Sequence, residues 1–174
     1  TTGAQAAIDA LGADGGTIWV HGFFKISAAL NVSLATWKVV QFIGNGPSSS
    51  GFNATHNGIL FNDLTGAVRI ENMLLNGPGQ AVANSKAVKS TLAQGWVSGC
   101  DIRNWAYGVE VTGTTNGHIF RNRFTLCNRG IYGSATDPDF WNMLTIEKNY
   151  LDFNNIGVDL TGFIGVDLVT NAFA

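Results

Sequence analysis

Apolar and polar residues alternate in short runs along most of this chain, and the runs return at a nearly fixed interval. After Asn122 come Phe124, Leu126, Asn128, Gly130 and Ile131; after Asn149 come Leu151, Phe153, Asn155, Gly157 and Val158. The same template fits Cys100 with Ile102, Gly108, Val109 and Val111, and its opening fits Asn72 with Leu74 and Asn171 with Phe173. The starts at 72, 100, 122, 149 and 171 lie 28, 22, 27 and 22 residues apart. A period of about 20–30 residues marks a supersecondary unit that cannot bury its own apolar face and stacks on copies of itself.

Within each unit the alternation has period two, which is strand periodicity. It follows the template start, and it appears again after the glycine, as in Gly108-Val-Glu-Val and Gly157-Val-Asp-Leu. A third run precedes the start, in Trp96-Val97, His118-Ile119, Thr145-Ile146 and Asp167-Leu168, with an aliphatic residue three places upstream each time. Three short strands per unit predict an all-β parallel β-helix whose coils sit about 4.8 Å apart. The leucine offsets and helical half of a leucine-rich repeat are missing.

The column Asn72, Cys100, Asn122, Asn149, Asn171 is expected at a tight bend between strands, where Asn tolerates left-handed backbone angles and stacked amides bond to one another. Cys100 interrupts the column and is expected to point inward as a small apolar filler. Cys127 falls in a different column, too far sideways for a disulfide, so two free thiols are expected.

The first residues carry a different period. Thr2-Gly-Ala-Gln5 reads as a capping box, and Ala4, Ala7, Ile8 and Leu11 follow at helical spacing until Gly12. An amphipathic helix over 1–12 is expected to cover the open end of a single β-helix domain over 13–174. Gly15 to Ser27 supplies the first two strands around a bend at His21-Gly22. The strand pattern runs to Ala174, so the β-helix is expected to continue in a longer parent chain. Pro47 to Gly51 reads as a flexible loop, and Gly77 to Gly95 as a flap or short helix at the solenoid edge.

Composition narrows the classes. With 174 residues, 45% of them hydrophobic, the chain can bury a continuous core. A net charge of −2 without a basic stripe argues against nucleic acid as a partner. No apolar run reaches the ~18 residues of a membrane-spanning helix, so no membrane partner is expected. The histidines and cysteines show no metal-ligand spacing, and no cofactor is expected. A nucleophile elbow of the Gly-x-Ser-x-Gly type is absent.

Three stretches, AQAAIDAL at 4–11, GGTIWVHGFFKIS at 15–27 and VVQFIGNG at 39–46, followed by coils of the form IxxNxF…GI, resemble the opening of a pectate-lyase-like right-handed β-helix. The likeness is to the branch of bacteriophage tailspikes and polysaccharide depolymerases, and it covers the whole chain. The family usually has proline where His21 stands and an aromatic-rich GTY where Gly22-Phe-Phe stands. The resemblance implies a right-handed solenoid facing carbohydrate in a virion or extracellular setting, often as a homotrimer or joined to other virion proteins. It also leaves room for a calcium ion on outward carboxylates.

Such folds place chemistry along the strand after the glycine, where the residue two places on is Leu60, Glu110, Tyr132 and Asp159 in successive matches. Glu110 and Asp159 are two coils apart, about 9.6 Å at about 4.8 Å per coil. Carboxyl groups about 6.5–9.5 Å apart suit an inverting glycosidase, one as acid and one as base, with Tyr132 stacking on a sugar ring. The alternative is ordinary polar residues on a solvated strand. Asp101 and Arg123 share a second outward column, and Arg103, Thr125 and Asp152 a third. These charges stabilise a sheet, or Arg103 and Arg123 bind a uronic acid or serve a lyase. A long excursion, Gly133 to Asn142, brings Asp137, Asp139, Phe140 and Trp141 together, a composition suited to sugar binding or to packing on a neighbouring subunit. Two functions follow: a surface or virion protein that recognises polysaccharide, with or without hydrolase or lyase activity, and a non-catalytic structural, decoration or adhesin component.

Overall fold

The computed structural model describes residues 2–33, 38–112, 116–135 and 143–174. Three all-parallel sheets run the length of the molecule, each taking one strand per coil. The first holds Gly16–Val20, Val40–Gly44, Val68–Glu71, Trp96–Ser98, His118–Phe120, Met143–Glu147 and Gly165–Val169. The second holds Gly22–Ile26, Ser50–Ala54, Leu74–Asn76, Asp101–Arg103, Arg123–Thr125, Tyr150–Asp152 and Ala172–Phe173. The third holds Leu30–Val32, Ile59–Asp63, Lys86–Ser90, Tyr107–Thr112, Arg129–Ser134 and Ile156–Thr161. The chain is a right-handed parallel β-helix with three short strands per coil and a short helix, Thr2–Ala10, at one end.

The period-two alternation becomes three inward columns. Ile70, Val97, Ile119 and Ile146 are in register in the first sheet, and Leu75, Ile102, Phe124 and Leu151 in the second. Phe61, Val88, Val109 and Ile131 form the third, and all of these side chains are buried. Trp105 fills the corner between the second and third sheets, fully buried, with its indole N–H donating to the Leu75 carbonyl at 2.9 Å. That packing requires Gly77, because a methyl there would collide with the Asn104 carbonyl and the Trp105 ring.

The asparagine ladder forms, one residue away from the left-handed bend. Asn72, Gly99, Arg121, Lys148 and Thr170 share the corner after the first sheet, with φ of 56°, 62°, 57°, 54° and 50°. The residue after each faces inward, and in three successive coils it is Asn122, Asn149 and Asn171. The Asn122 amide donates to Asn149 Oδ1 at 3.1 Å, and the Asn149 amide to Asn171 Oδ1 at 3.0 Å. Their Nδ2 groups also satisfy the carbonyls of Val97, Ile119 and Ile146. These asparagines therefore satisfy the main chain from inside, and the left-handed angle falls on their neighbours. Asn72 is not a rung. Leu75, not Leu74, pairs with Ile102, so Met73 occupies the inward position and Asn72 takes the left-handed corner.

Cys100 lies at the foot of the ladder, 2% exposed, its N–H donating to Asn122 Oδ1 at 3.0 Å. Cys127 holds the equivalent place at the next corner, beneath Asn154. Both thiols are free and buried.

The helix covers the first coil by two devices. Ile8 is buried, with Ala4 and Leu11 packed on the same core. Gln5 accepts the Asn31 N–H at 2.9 Å and donates to its carbonyl at 3.2 Å, so its amide pairs with an otherwise open strand edge. Two expected loops are shorter than the sequence suggests. Ser50 and Gly51 belong to a strand, and the 77–95 segment contains the strand Lys86–Ser90, leaving an excursion over 77–85 without a helix.

Candidate functional site

Glycine shapes the outward face of the third sheet. A Cβ on Gly108 would meet the Phe124 ring at 2.8 Å, so this position faces the interior, as does the buried Val109 beside it. Two inward residues in succession leave Tyr107 and Glu110 both facing out, three places apart. The same bend recurs one coil on, giving two outward columns. One contains Ile59, Lys86, Tyr107, Arg129 and Ile156, and the other Asn62, Lys89, Glu110, Tyr132 and Asp159. Leu60 is not in the second column. Ile59 pairs with Lys86, so Asn62 takes the place expected for Leu60, and Leu60 is fully buried.

The two columns are cross-linked diagonally, the three middle residues of the first each reaching the second one coil further on. Lys86 Nζ lies 2.6 Å from Glu110 Oε2, the Tyr107 and Tyr132 rings are 5.1 Å apart, and Arg129 Nε donates to Asp159 Oδ2 at 2.7 Å. Cations also flank the rings: Lys86 and Arg129 lie 5.4 and 5.5 Å from the Tyr107 centroid, and Arg129 lies 5.4 Å from that of Tyr132. Arg129 donates a further bond to the Tyr107 hydroxyl at 3.2 Å. The structure thus brings Glu110, Tyr132 and Asp159 into one register and adds Lys86, Tyr107 and Arg129, which the sequence reading missed. The signal for Tyr107 and Arg129 was their position immediately before Gly108 and Gly130, where a strict alternation would have turned them inward.

This arrangement restricts the two carboxylates. A general acid must present a proton to a glycosidic oxygen, and a base must hold a water. Glu110 Oε2 instead rests against an ammonium with its side chain 7% exposed, and Asp159 Oδ2 rests against a guanidinium.

On the second sheet, Asp101 and Arg123 are in register, as are Arg103, Thr125 and Asp152. The ion pairs run differently from the register. Arg123 donates to Asp152 at 3.1 Å across one coil and one column, and Arg103 lies 3.8 Å from Asp101 on its own strand. Both arginines of this strip therefore have a carboxylate partner. Asp137, Asp139 and Trp141, with Phe140, lie outside the described residues.

The outward face of the first sheet carries a further polar strip that the sequence reading did not single out. Glu71 Oε1 accepts from Trp96 Nε1 at 2.7 Å and from Gln41 at 2.8 Å, while the Arg69 guanidinium sits 3.8 Å from the Trp96 centroid. Three coils above Glu71, Glu147 contacts Lys148 and His118, and the Lys148 hydrogen bond holds its carboxyl below the usual range. Among the described residues no group of three or more His, Cys, Asp or Glu side chains comes together as a metal site, and no helix is long and apolar enough to cross a membrane.

None of the protein-family models, curated proteins or solved structures compared with the chain matches it.

Proposed function

We propose that the protein is a pectate-lyase-like β-helix of the tailspike kind that recognises polysaccharide at a virion or extracellular surface and holds it without cutting it. The observation that carries this reading is the tyrosine pair Tyr107–Tyr132 fixed on an outward face between two ion pairs. Aromatic rings beside ordered polar groups suit sugars, whose C–H faces pack on rings while their hydroxyls exchange hydrogen bonds. The binding favoured over cleavage follows from the cations on Glu110 and Asp159.

Affinity electrophoresis through capsular, pectic and neutral glycans, with a reducing-end assay on the same panel, tests it. Retardation by at least one glycan with no new reducing ends is expected. Release of reducing ends that is abolished by Glu110→Gln or Asp159→Asn would replace binding by hydrolysis. Absence of retardation in every gel would remove carbohydrate altogether.

A structural role in a larger assembly is the second reading, and one surface favours it. Trp19, Phe23 and Phe24 are 60%, 49% and 46% exposed at the helix-capped end. In a homotrimer these rings would be covered. Sedimentation of the wild type against Trp19→Ser and Phe24→Ser distinguishes a trimer that these changes dissociate from a monomer.

A further inference from the structure

The excursion over 77–85 stands beside the corner that leads into the third sheet, and between them lies a cleft of about 370 Å3. That volume falls within the ~300–1,000 Å3 range of small-ligand sites. Its polar lining is Gln80, Asn84, Tyr107, Asn128 and Asn155, with alanines between them. Four side-chain amides and one phenol present donors and acceptors together, and no charged side chain lines the cleft.

The hydrogen-bonding capacity of this lining is largely unused. Asn155 Nδ2 donates to Asn128 Oδ1 at 2.9 Å, repeating one coil apart the amide stacking found elsewhere in the solenoid. Among the described residues, the Asn128 Nδ2 and Asn155 Oδ1 atoms and the amides of Gln80 and Asn84 have no further partner. Asn84 is held at a φ of 63°. The Tyr107 hydroxyl accepts from Arg129 and keeps its own proton to donate. The charges nearest the cleft are matched in pairs, Lys86 with Glu110 and Arg129 with Asp159. An anionic sugar entering the cleft would lose hydration with no cation in the lining to receive it, whereas a neutral sugar would meet amides that both donate and accept.

We infer that this cleft is a binding subsite for an uncharged, hydroxyl-rich sugar unit, read by Gln80, Asn84, Asn128 and Asn155, with Tyr107 at its edge. The inference rests on the polysaccharide reading above and specifies its ligand class: a neutral glycan, not a uronate. The outward tyrosines and ion pairs then continue the path of the chain beyond the subsite.

Titration calorimetry and saturation-transfer NMR with neutral gluco-, galacto- and manno-oligosaccharides, and with oligogalacturonate of the same length, test it. Neutral oligosaccharides are expected to bind with an affinity that does not change between low and high salt. Gln80→Ala and Asn155→Ala, both at exposed positions, are each expected to weaken binding about threefold to tenfold with unchanged thermal melting. Neutral binding that both variants leave intact would overturn the cleft assignment while leaving polysaccharide recognition standing. Binding confined to oligogalacturonate and weakened by salt would overturn the ligand class. Failure of every oligosaccharide to bind would end both.

Discussion

Asp63 shows how much one side chain can organise in a coil. Its Oδ1 accepts from the Thr65 and Gly66 main chains at 3.1 and 2.9 Å, and its Oδ2 from the Val68 main chain at 3.0 Å and the Ser90 hydroxyl at 2.7 Å. These bonds turn the chain from the third sheet back into the first, and the carboxylate is only 5% exposed. Asp63→Ala would strand several buried donors at once, so urea unfolding should show a loss of about 3 kcal/mol or more, with Asp63→Asn losing less. The cysteines give a prediction of a different kind. Burial pushes both thiols up to about 12 from an ordinary value of 9.0. A folded-state pKa above the unfolded one means that this contribution to stability is fully present below pH 9 and is lost as pH rises toward 12. Unfolding followed at increasing pH should show that decline, and Cys100→Ala with Cys127→Ala should flatten it. At pH 8 neither thiol should react with an alkylating reagent until the protein unfolds.

The amide ladder belongs to the scale of the element, because no rung works alone. Asn149 accepts from the Asn122 main chain and amide and donates to Ile119 O and Asn171 Oδ1. Asn149→Leu keeps the volume and removes every one of these bonds, in a corner that water does not reach. A loss of about 3 kcal/mol is expected by denaturant titration, against a few tenths for Asn155→Leu, whose amide stack lies exposed. The second corner has similar help from Asn154, whose Oδ1 accepts the Cys127 N–H at 2.8 Å and whose Nδ2 donates to the Phe124 carbonyl at 2.9 Å, yet it places apolar residues at the bend itself. Leu126 and Phe153 sit at φ of 55° and 52° with 43% and 69% of their surface exposed. Apolar residues at a left-handed corner are unusual, and here alternation made them look like strand interior. In sequence they occupy the fourth place after the template start, the parity of an inward residue. The left-handed residue breaks that parity, because the corner that follows each short strand redirects the chain.

At the scale of the molecule, every strand between the terminal coils is paired on both sides, and contacts pass only from coil to coil. Stability in such an array is close to a sum over neighbouring coils. Hydrogen exchange should therefore be slowest in the central strands His118–Phe120 and Arg123–Thr125 and fastest in Gly165–Val169 and Ala172–Phe173, which have a neighbour on one side. Uniform exchange along the chain would contradict this. The proposed subsite is also a product of this scale, since its lining comes from an excursion and from three successive coils.

The sequence by itself determined the coil, the three strands within it and the register of Glu110, Tyr132 and Asp159. Period-two alternation, a repeat of 22 to 28 residues and recurring glycines are local signals, and a column inherits its order from the repeat. It misplaced Asn72 and Leu60, where the coils carry different residues at the template's marked positions and a shift of one or two places looked equally regular. Only the tertiary structure decided which partner each outward group took. Lys86, Arg129 and the cleft amides meet their neighbours across coils more than twenty residues apart, and the diagonal reach of a long side chain is set by bend and twist, which leave no period in the sequence.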